Sequence, residues 1–379
     1  MSNELGLRLK EARESLGLSL KEAAIRVGFP NYQTLRDIEL GKREIKASEL
    51  SRFAKTYFRS ISTLLGEERP VQVPELVWRS QPKDKIRRKE LESQIFFLAE
   101  QFSALEKLLN RETEPFSFFG VAIEEIRTNM DIYRLADKVS KLLDLGKRPA
   151  FSLQSILEQE FGIRVFYYDL SEDGSAASMI SENHGAVIVI NSNEAPWRRN
   201  FDLAHELFHL ITWRIASPEE LKDKHFFEQI EKKADAFASA LLLPEPEVRK
   251  EFDKKLKAQD KISYADLVDI AREFGVSSQA MIYRLANIRY ITWVEARRIA
   301  QDETIQEISR NVRSKEWGET PVCERLHSLA IQCLRKGLVS RGKFANLVGI
   351  DRVDIDDFIL MHGQTEIEGD SIEIMASGC

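Results

Sequence analysis

The chain has 379 residues and a mass of 43.6 kDa, enough for two or three domains with cores of their own. Its composition, 43% hydrophobic and 31% charged, is that of a soluble globular protein, and no apolar run approaches the roughly 18 residues that span a bilayer. The net charge of −6 is uneven, because residues 1 to 65 hold 12 Lys and Arg against 8 Asp and Glu. The chain begins without the apolar core of a secretion signal, and its three cysteines show neither a disulfide framework nor metal-ligand spacing. We therefore expect a cytoplasmic protein that binds no membrane.

The N-terminal part of the chain predicts five short helices joined by tight turns. Ser19 and Glu22 have the spacing of a capping box, and the helix that they begin ends at Gly28. Asn31 can cap a third helix shortly afterwards. A helix, a short turn and a second helix is the layout of a DNA-reading unit.

The outward residues at the start of the third helix are the candidates for contacts in the major groove of DNA. These residues are Asn31, Tyr32, Gln33, Thr34 and Arg36. Lys42 and Arg43 follow the helix and are candidates for phosphate contacts. The alternative is a small helical bundle that binds protein instead of DNA.

Residues 66 to 85 contain three prolines, Pro70, Pro74 and Pro82, and therefore predict a linker. Beyond the linker, apolar residues recur at alternating steps of four and three along one predicted helix. They are Leu91, Ile95, Leu98, Phe102, Leu105 and Leu109. This seam indicates a helical connector over residues 86–125 and makes it a candidate dimerisation helix, although the seam could also pack on its own domain.

A small β-sheet is predicted next, from three short runs rich in β-branched and aromatic residues. The runs are residues 163 to 168, 177 to 180 and 186 to 190. The last of them could offer a sheet edge to an extended peptide, or it could be an ordinary central strand. Helical periodicity returns from about Trp197, and a further helix is predicted from about Phe226 to Leu243.

The stretch AHELFHLITW carries the chemistry that the sequence shows most clearly. His205 and His209 lie four residues apart, so on a helix both can present imidazole nitrogens to one ion. Glu206 stands one step round the helix and can reach a water on that ion without binding the ion itself. The pattern is H-E-x-x-H, in which zinc activates water and the glutamate takes its proton.

A catalytic zinc of this type takes a third protein ligand and keeps one position open. In the helix IEKKADAFASALLLP, Glu231 and Asp235 fall on or beside the apolar stripe, where an unpaired carboxylate is costly. We predict that Glu231 is the third ligand and that Asp235 receives the N–H of a ligating histidine. The rival assignments make Asp235 the ligand with Glu231 at the rim, or use His225 or Glu228.

Two family resemblances follow from these motifs. FDLAHELFHLI followed by E-x-x-A-D-x-F-A-x-x-L-L-x-P resembles the ImmA/IrrE family of zinc metallopeptidases over roughly residues 130 to 290. The resemblance implies zinc on His205, His209 and Glu231, with Glu206 as general base and peptide hydrolysis as the reaction. The chain departs from that family at Asp202, where Thr is common, and at Phe208, where Gly is common.

GLSLKEAAIRVGFPNYQTLRDIELGKREI is similar to the helix-turn-helix of the XRE family over residues 5 to 65. It departs from that family at Leu20, where Gln is usual, and by one extra residue between Gly28 and Glu39. The resemblance implies a double-stranded DNA operator as partner and a homodimer that meets two half-sites.

The sequence thus predicts an α+β protein that is predominantly α, with a five-helix DNA-binding domain, a zincin-like domain whose small sheet packs on helices, and C-terminal helices. The predicted segments are 1–65, the linker 66–85, the connector 86–125, the peptidase domain 126–290, a helical region 291–363 and an acidic tail 364–379. The expected function is a transcriptional regulator whose zinc endopeptidase cleaves a repressor, a toxin or the chain itself. The alternative is an autoregulating repressor or antitoxin whose zinc domain is a sensor or scaffold without proteolysis.

Overall fold

The computed structural model describes residues 2–66, 76–78, 84–111, 126–170, 174–181, 185–212, 224–259, 261–313 and 321–362. It divides into two compact units, Met1–Phe97 with Glu114–Val322, and Leu98–Thr113 with Cys323–Cys379. The class is α+β and predominantly α, as predicted. None of the described helices is long and apolar enough to cross a membrane. The expected acidic tail, most of the linker and the end of the connector lie outside the described residues.

Five helices form the N-terminal bundle, as the sequence predicted. They are α1 (Ser2–Ser15), α2 (Leu20–Val27), α3 (Tyr32–Glu39), α4 (Ala47–Tyr57) and α5 (Ile61–Leu65). The capping box of Ser19 and Glu22 begins α2, and Gly28 ends it in the left-handed region at φ +84°. Asn31 caps α3 through its Oδ1, which accepts from the Thr34 amide at 3.0 Å. Local capping therefore sets where the second and third helices start.

Two contacts hold α3 against α1. A Cβ added to Gly6 would come within 2.6 Å of the Glu39 carbonyl oxygen and 2.7 Å of the Ile38 carbonyl oxygen, so this close approach requires glycine. The buried Arg13 side chain donates to the Glu39 carboxylate, from Nε to Oε1 at 2.7 Å and from Nη2 to Oε2 at 3.1 Å. The orientation of α3 in the bundle thus depends on the absence of a side chain at Gly6 and on the buried ion pair between Arg13 and Glu39.

Helix α6 (Lys85–Leu108) contains the predicted heptad seam. Four of the six seam residues are buried within the chain, and Leu98 and Leu109 are half-buried. The seam therefore packs on its own chain, which is the alternative to a dimerisation helix. It is not exposed for a second copy to bind.

Within the part of the chain that the structure describes, the sheet has four strands in the order β1-β3-β4-β2. They are β1 (Val77–Trp78), β2 (Arg164–Tyr168), β3 (Ala176–Ser181) and β4 (Gly185–Asn191). Strands β3 and β4 form an antiparallel pair, and β2 runs parallel to β4. β4 thus has a neighbour on each side, so of the two alternatives for residues 186 to 190 the ordinary central strand is the one observed. β1 comes from the segment predicted as linker and pairs with β3.

The rest of the first unit is helical and packs around one face of the sheet. Its helices are α7 (Asn129–Leu142), α8 (Pro149–Gln159), α9 (Pro196–Thr212), α10 (Lys224–Leu242), α11 (Glu245–Gln259), α12 (Tyr264–Glu273), α13 (Ser278–Asn287), α14 (Trp293–Gln301) and α15 (Glu303–Arg313). Alternation along β4 turns Ala186, Ile188 and Ile190 toward a core that includes Leu207 and Phe237. Helices α9 and α10 meet in this core, which brings their polar faces together.

The second unit combines the end of α6 with three C-terminal helices, α16 (Glu324–Arg335), α17 (Arg341–Val348) and α18 (Ile355–Met361), and a 3-10 turn at Arg352–Asp354. Arg325 donates to Glu106 at 2.7 Å inside it. His327 is buried there, and its ring lies edge-on to Phe358.

Candidate metal centre and nucleic-acid interface

Helices α9 and α10 bring three candidate metal ligands to one point. His205 Nε2 lies 3.1 Å from His209 Nε2 because the two residues are one helical turn apart. Glu231 of α10 faces both rings, with Oε2 3.3 Å from His205 Nε2 and Oε1 3.0 Å from His209 Nε2. Among the described residues, these three form the one group of His, Cys, Asp and Glu side chains close enough to hold an ion.

The spacing of these atoms suits a small tetrahedral ion. Zinc binds histidine nitrogen and carboxylate oxygen at about 2.0–2.2 Å, which puts its tetrahedral ligand atoms about 3.3–3.5 Å apart. The separation between the two imidazole nitrogens, 3.1 Å, and that between His209 and Glu231 Oε1, 3.0 Å, are slightly shorter than this, whereas the 3.3 Å between His205 and Glu231 Oε2 matches it. A slight outward movement of each side chain would therefore admit the ion, and the donor set of two imidazoles and one carboxylate is one that zinc prefers.

Asp235 lies one turn after Glu231 and contacts the opposite side of the His205 ring, with Oδ1 3.0 Å from Nδ1. A carboxylate at Nδ1 favours the tautomer that carries its proton there, and this tautomer leaves Nε2 as the ligand atom. The rival arrangement, with Asp235 as ligand, does not match these contacts. His225 and Glu228 do not join the group either, and the His225 ring contacts the Gln229 amide at 2.9 Å.

Glu206 is fully buried beside the two histidines. Its Oε2 accepts a hydrogen bond of 2.6 Å from the Ser178 hydroxyl on β3, whereas its Oε1 has no hydrogen-bond donor among the described residues. A buried carboxylate oxygen without a donor is costly, and a water on a neighbouring ion would satisfy it. Ser178 was not among the sequence candidates, since nothing in the spacing of a strand serine marks it as a partner of a helix glutamate.

The electrostatics of the group favour an ionised carboxylate. Burial by itself raises the pKa of Glu231, but hydrogen bonds and charge interactions with His205 and His209 outweigh burial and lower the pKa to about 2. Glu231 is therefore a carboxylate over the whole physiological pH range, as a metal ligand must be.

Of the two residues at which the chain departs from the ImmA/IrrE pattern, Phe208 lies edge-on to the His209 ring, with ring centroids 6.1 Å apart. Phe208 is buried and packs against Phe237 of α10, with ring centroids 5.4 Å apart. Asp202 is also buried, and its Oδ1 lies 3.3 Å from Arg198 Nε. The aromatic ring at 208 thus fills the core between the two helices that carry the site.

The predicted DNA contacts lie at one end of the N-terminal bundle, but they are not equally available. Tyr32, Gln33, Arg36 and Lys42 expose their side chains, and Thr34 is half-buried. The Asn31 side chain is engaged in capping α3. Arg43 donates two hydrogen bonds to the buried Glu49 carboxylate, from Nη2 at 2.8 Å and from Nη1 at 3.3 Å. A phosphate contact by Arg43 would have to compete with that carboxylate.

Comparisons with known proteins match two parts of the chain. The family model for the IrrE N-terminal-like domain, a peptidase family, matches residues 158–286, and a helix-turn-helix domain model matches residues 4–60. No curated protein matches the chain.

Similarity to solved structures is weak. A transcriptional regulator from Mycobacterium tuberculosis is 18% identical with a TM-score of 0.31, and the match covers 50% of this chain and 51% of that one. This chain thus spans about half the length of that regulator. Apo ComR from S. thermophilus is 13% identical with a TM-score of 0.17, covering 83% of this chain and 99% of ComR.

The two family models coincide with recognisable parts of the fold. The bundle α1–α5 coincides with the helix-turn-helix match, and the sheet with α9 and α10 lies almost wholly within the other match. The chain therefore carries an XRE-like helix-turn-helix domain at its N-terminus and an IrrE N-terminal-like, peptidase-type domain behind it.

Proposed function

We propose that the chain is a DNA-binding transcriptional regulator whose IrrE-like domain is a zinc-dependent endopeptidase that cleaves a specific protein partner. The partner is a repressor, a toxin or the chain itself. The proposal depends on the position of Glu206, a buried carboxylate beside the group formed by His205, His209 and Glu231. One of its oxygens accepts a hydrogen bond from Ser178, and the other has no hydrogen-bond donor among the described residues. A purely structural metal site has no need of such a carboxylate.

The chain's own residues divide the work of peptide hydrolysis. Zinc bound by His205, His209 and Glu231 would lower the pKa of a water to about 7 and polarise the scissile carbonyl. Glu206 would accept a proton from the water on Oε1 and deliver it to the leaving amine. Ser178 holds Oε2 at 2.6 Å, which fixes the carboxylate's orientation, and Asp235 fixes the His205 ring. No covalent intermediate is needed.

The DNA-binding half of the proposal rests on α3. Its exposed side chains Gln33 and Arg36 would read base edges in the major groove, and Lys42 would contact phosphate. Replacing Lys42 by Ala should weaken binding to all sequences alike, whereas Gln33→Ala should relax specificity at one base position. A homodimer remains our expectation from how such readers meet two half-sites, and its interface would lie outside the buried seam of α6.

One observation favours a second function, in which the zinc domain is a sensor or scaffold of a repressor or antitoxin. His205 and Glu206 are 0% exposed and His209 is 2% exposed, so these three side chains are closed to a peptide in this conformation, whereas the Glu231 side chain is 20% exposed. A peptidase must open this site, whereas a scaffold need not. The two functions therefore differ in whether Glu206 is needed for anything beyond folding.

Glu206→Gln separates them. The substitution keeps the size and the Ser178 contact but removes the proton acceptor, so zinc content and DNA affinity should stay at wild-type values while cleavage stops. The substrate should then accumulate in cells and co-purify with the variant, where mass spectrometry identifies it. Glu160→Gln, an exposed glutamate at the end of α8, serves as control. If every co-purifying protein is turned over at the same rate in cells with the wild type and in cells with Glu206→Gln, the peptidase function is rejected and the scaffold function remains.

A further inference from the structure

The sheet edge nearest the candidate base carries a strand from elsewhere in the same chain. Val77 of β1 pairs antiparallel with Ser178 of β3, and Trp78 pairs with Ala177. Ser178 is the residue whose hydroxyl donates to Glu206. Two residues of the segment between the DNA-binding bundle and α6 therefore lie one strand spacing, about 4.8 Å, from the strand that touches the base.

An edge strand can pair with only one outside segment at a given position. On its other side β3 is already paired with β4 over Ala176 to Ser181, so β1 takes the remaining hydrogen-bonding edge beside Ser178. Extended peptides bind proteins by adding a strand to an exposed edge of this kind. As long as β1 stays in place, no peptide substrate can pair with β3 next to Glu206.

Two buried side chains hold this segment in place, Leu76 just before β1 and Trp78 within it, each 2% exposed. The ladder is two residues long, which by itself is a weak attachment. Trp78, however, is 2% exposed, and its indole Nε1 donates to Glu92 Oε1 of α6 at 3.0 Å. Arg88 donates to the same oxygen at 2.7 Å. By strand alternation Trp78 lies on the sheet face opposite Ser178, so the anchor and the active-site side of β3 are on different faces.

The helix that anchors Trp78 also contacts the DNA-binding bundle. Glu90, two residues before Glu92, forms an ion pair with Arg26 of α2, and Ile86 packs against the core of the bundle. A displacement of α2 relative to α6 would therefore act on the helix that holds the strand.

We propose that residues 76–78 are an internal occupant of the peptide-binding edge of β3, and that an extended segment of a protein substrate replaces them when the peptidase acts. The inference rests on the proposed peptidase function. It defines the substrate as a segment that can become a β-strand antiparallel to β3. In the resting chain β1 competes with that segment, so releasing Trp78 raises the affinity for peptide.

Strand exchange can be measured without turnover. The probe is a fluorescein-labelled peptide with the sequence of residues 74 to 80, PELVWRS, and the protein is the full chain with Glu206→Gln. Trp78→Ala in this background removes the anchor, and Trp293→Ala, a half-exposed tryptophan of α14, is the matched control. We expect Trp78→Ala to bind the peptide about tenfold or more tightly than the parent and the control. The same peptide with Asp in place of its tryptophan should bind neither the parent nor either variant.

Amide hydrogen exchange gives an independent readout. Residues 176 to 180 should exchange faster in Trp78→Ala and regain protection when the peptide is added. If Trp78→Ala fails to fold, Glu92→Ala, which removes only the indole's acceptor, decides the question by the same two measurements. A folded variant with unchanged exchange in β3, or with exposed β3 and no gain in peptide affinity, overturns the proposal. The Trp78→Ala chain that keeps Glu206 tests the peptidase function separately. If it exchanges the strand but cleaves no substrate, the peptidase function alone is rejected.

Discussion

Replacing Asp235 by Ala should weaken zinc binding without removing any ligand. The carboxylate contacts His205 Nδ1 at 3.0 Å, and such partners of a ligating histidine typically contribute 10–100-fold in metal affinity. The Asp235 side chain is 50% exposed, so solvent screens the contact and places the effect at the lower end of that range. We expect about a tenfold loss, or about 1.4 kcal/mol. Asp235→Asn keeps an acceptor oxygen and should lose less.

The assay is competition for zinc between the purified protein and a chromogenic chelator at pH 7. Glu228→Gln is the matched control, since Glu228 is a carboxylate of the same helix outside the ligand group. Its affinity should equal that of the wild type. If Asp235→Ala binds zinc as tightly as the wild type, Asp235 does not orient His205 and the tautomer argument fails.

Three further predictions concern the bundle and the second unit. Gly6→Ala should push α3 away from α1 and lower DNA affinity in a binding titration, whereas Gly342→Ala, where a Cβ meets only a side chain at 3.9 Å, should not. Glu39→Ala removes the buried carboxylate partner of Arg13, which keeps its contacts with the Leu18 carbonyl and the exposed Glu14. It should destabilise the chain by about 3 kcal/mol in urea unfolding, and a loss below 1 kcal/mol would contradict this. Burial, with a smaller contribution from the neighbouring His362, lowers the pKa of His327 to about 4. Between pH 6.5 and pH 4 the unfolded chain therefore binds more protons at this residue than the folded chain does, and the folded state loses stability as the pH falls through that range. Between pH 7 and pH 5 the wild type should lose about 2 kcal/mol more than His327→Phe, and equal losses would show that His327 is not a buried neutral ring.

The features that follow from local sequence were predicted well. The capping box at Ser19 and Glu22 and the cap at Asn31 depend on side chains within three residues of the backbone that they satisfy. The H-E-x-x-H spacing and the i, i+4 spacing of Glu231 and Asp235 fix which side chains share a helix face. The rest of the site needed only that α9 and α10 be neighbours.

What escaped prediction depends on contacts between segments distant in sequence. Ser178 reaches Glu206 only because the sheet stacks on α9, and a lone strand serine carries no pattern. Strand β1 was hidden in a proline-containing segment, since two residues are too few to show alternation. The engagement of Arg43 with Glu49 depends on how α4 packs after α3. In each case the partner is chosen by tertiary packing, which spacing along one element does not encode.

Metal content tests the central claim most directly. If His205, His209 and Glu231 hold a catalytic ion, the purified full chain should contain one zinc ion per molecule by elemental analysis, and Glu228→Gln should contain the same. Glu231→Gln removes the carboxylate ligand and should contain almost none after dialysis against a weak chelator, with its fold intact by circular dichroism. A wild type without stoichiometric metal, or a Glu231→Gln variant that retains it, would contradict the account.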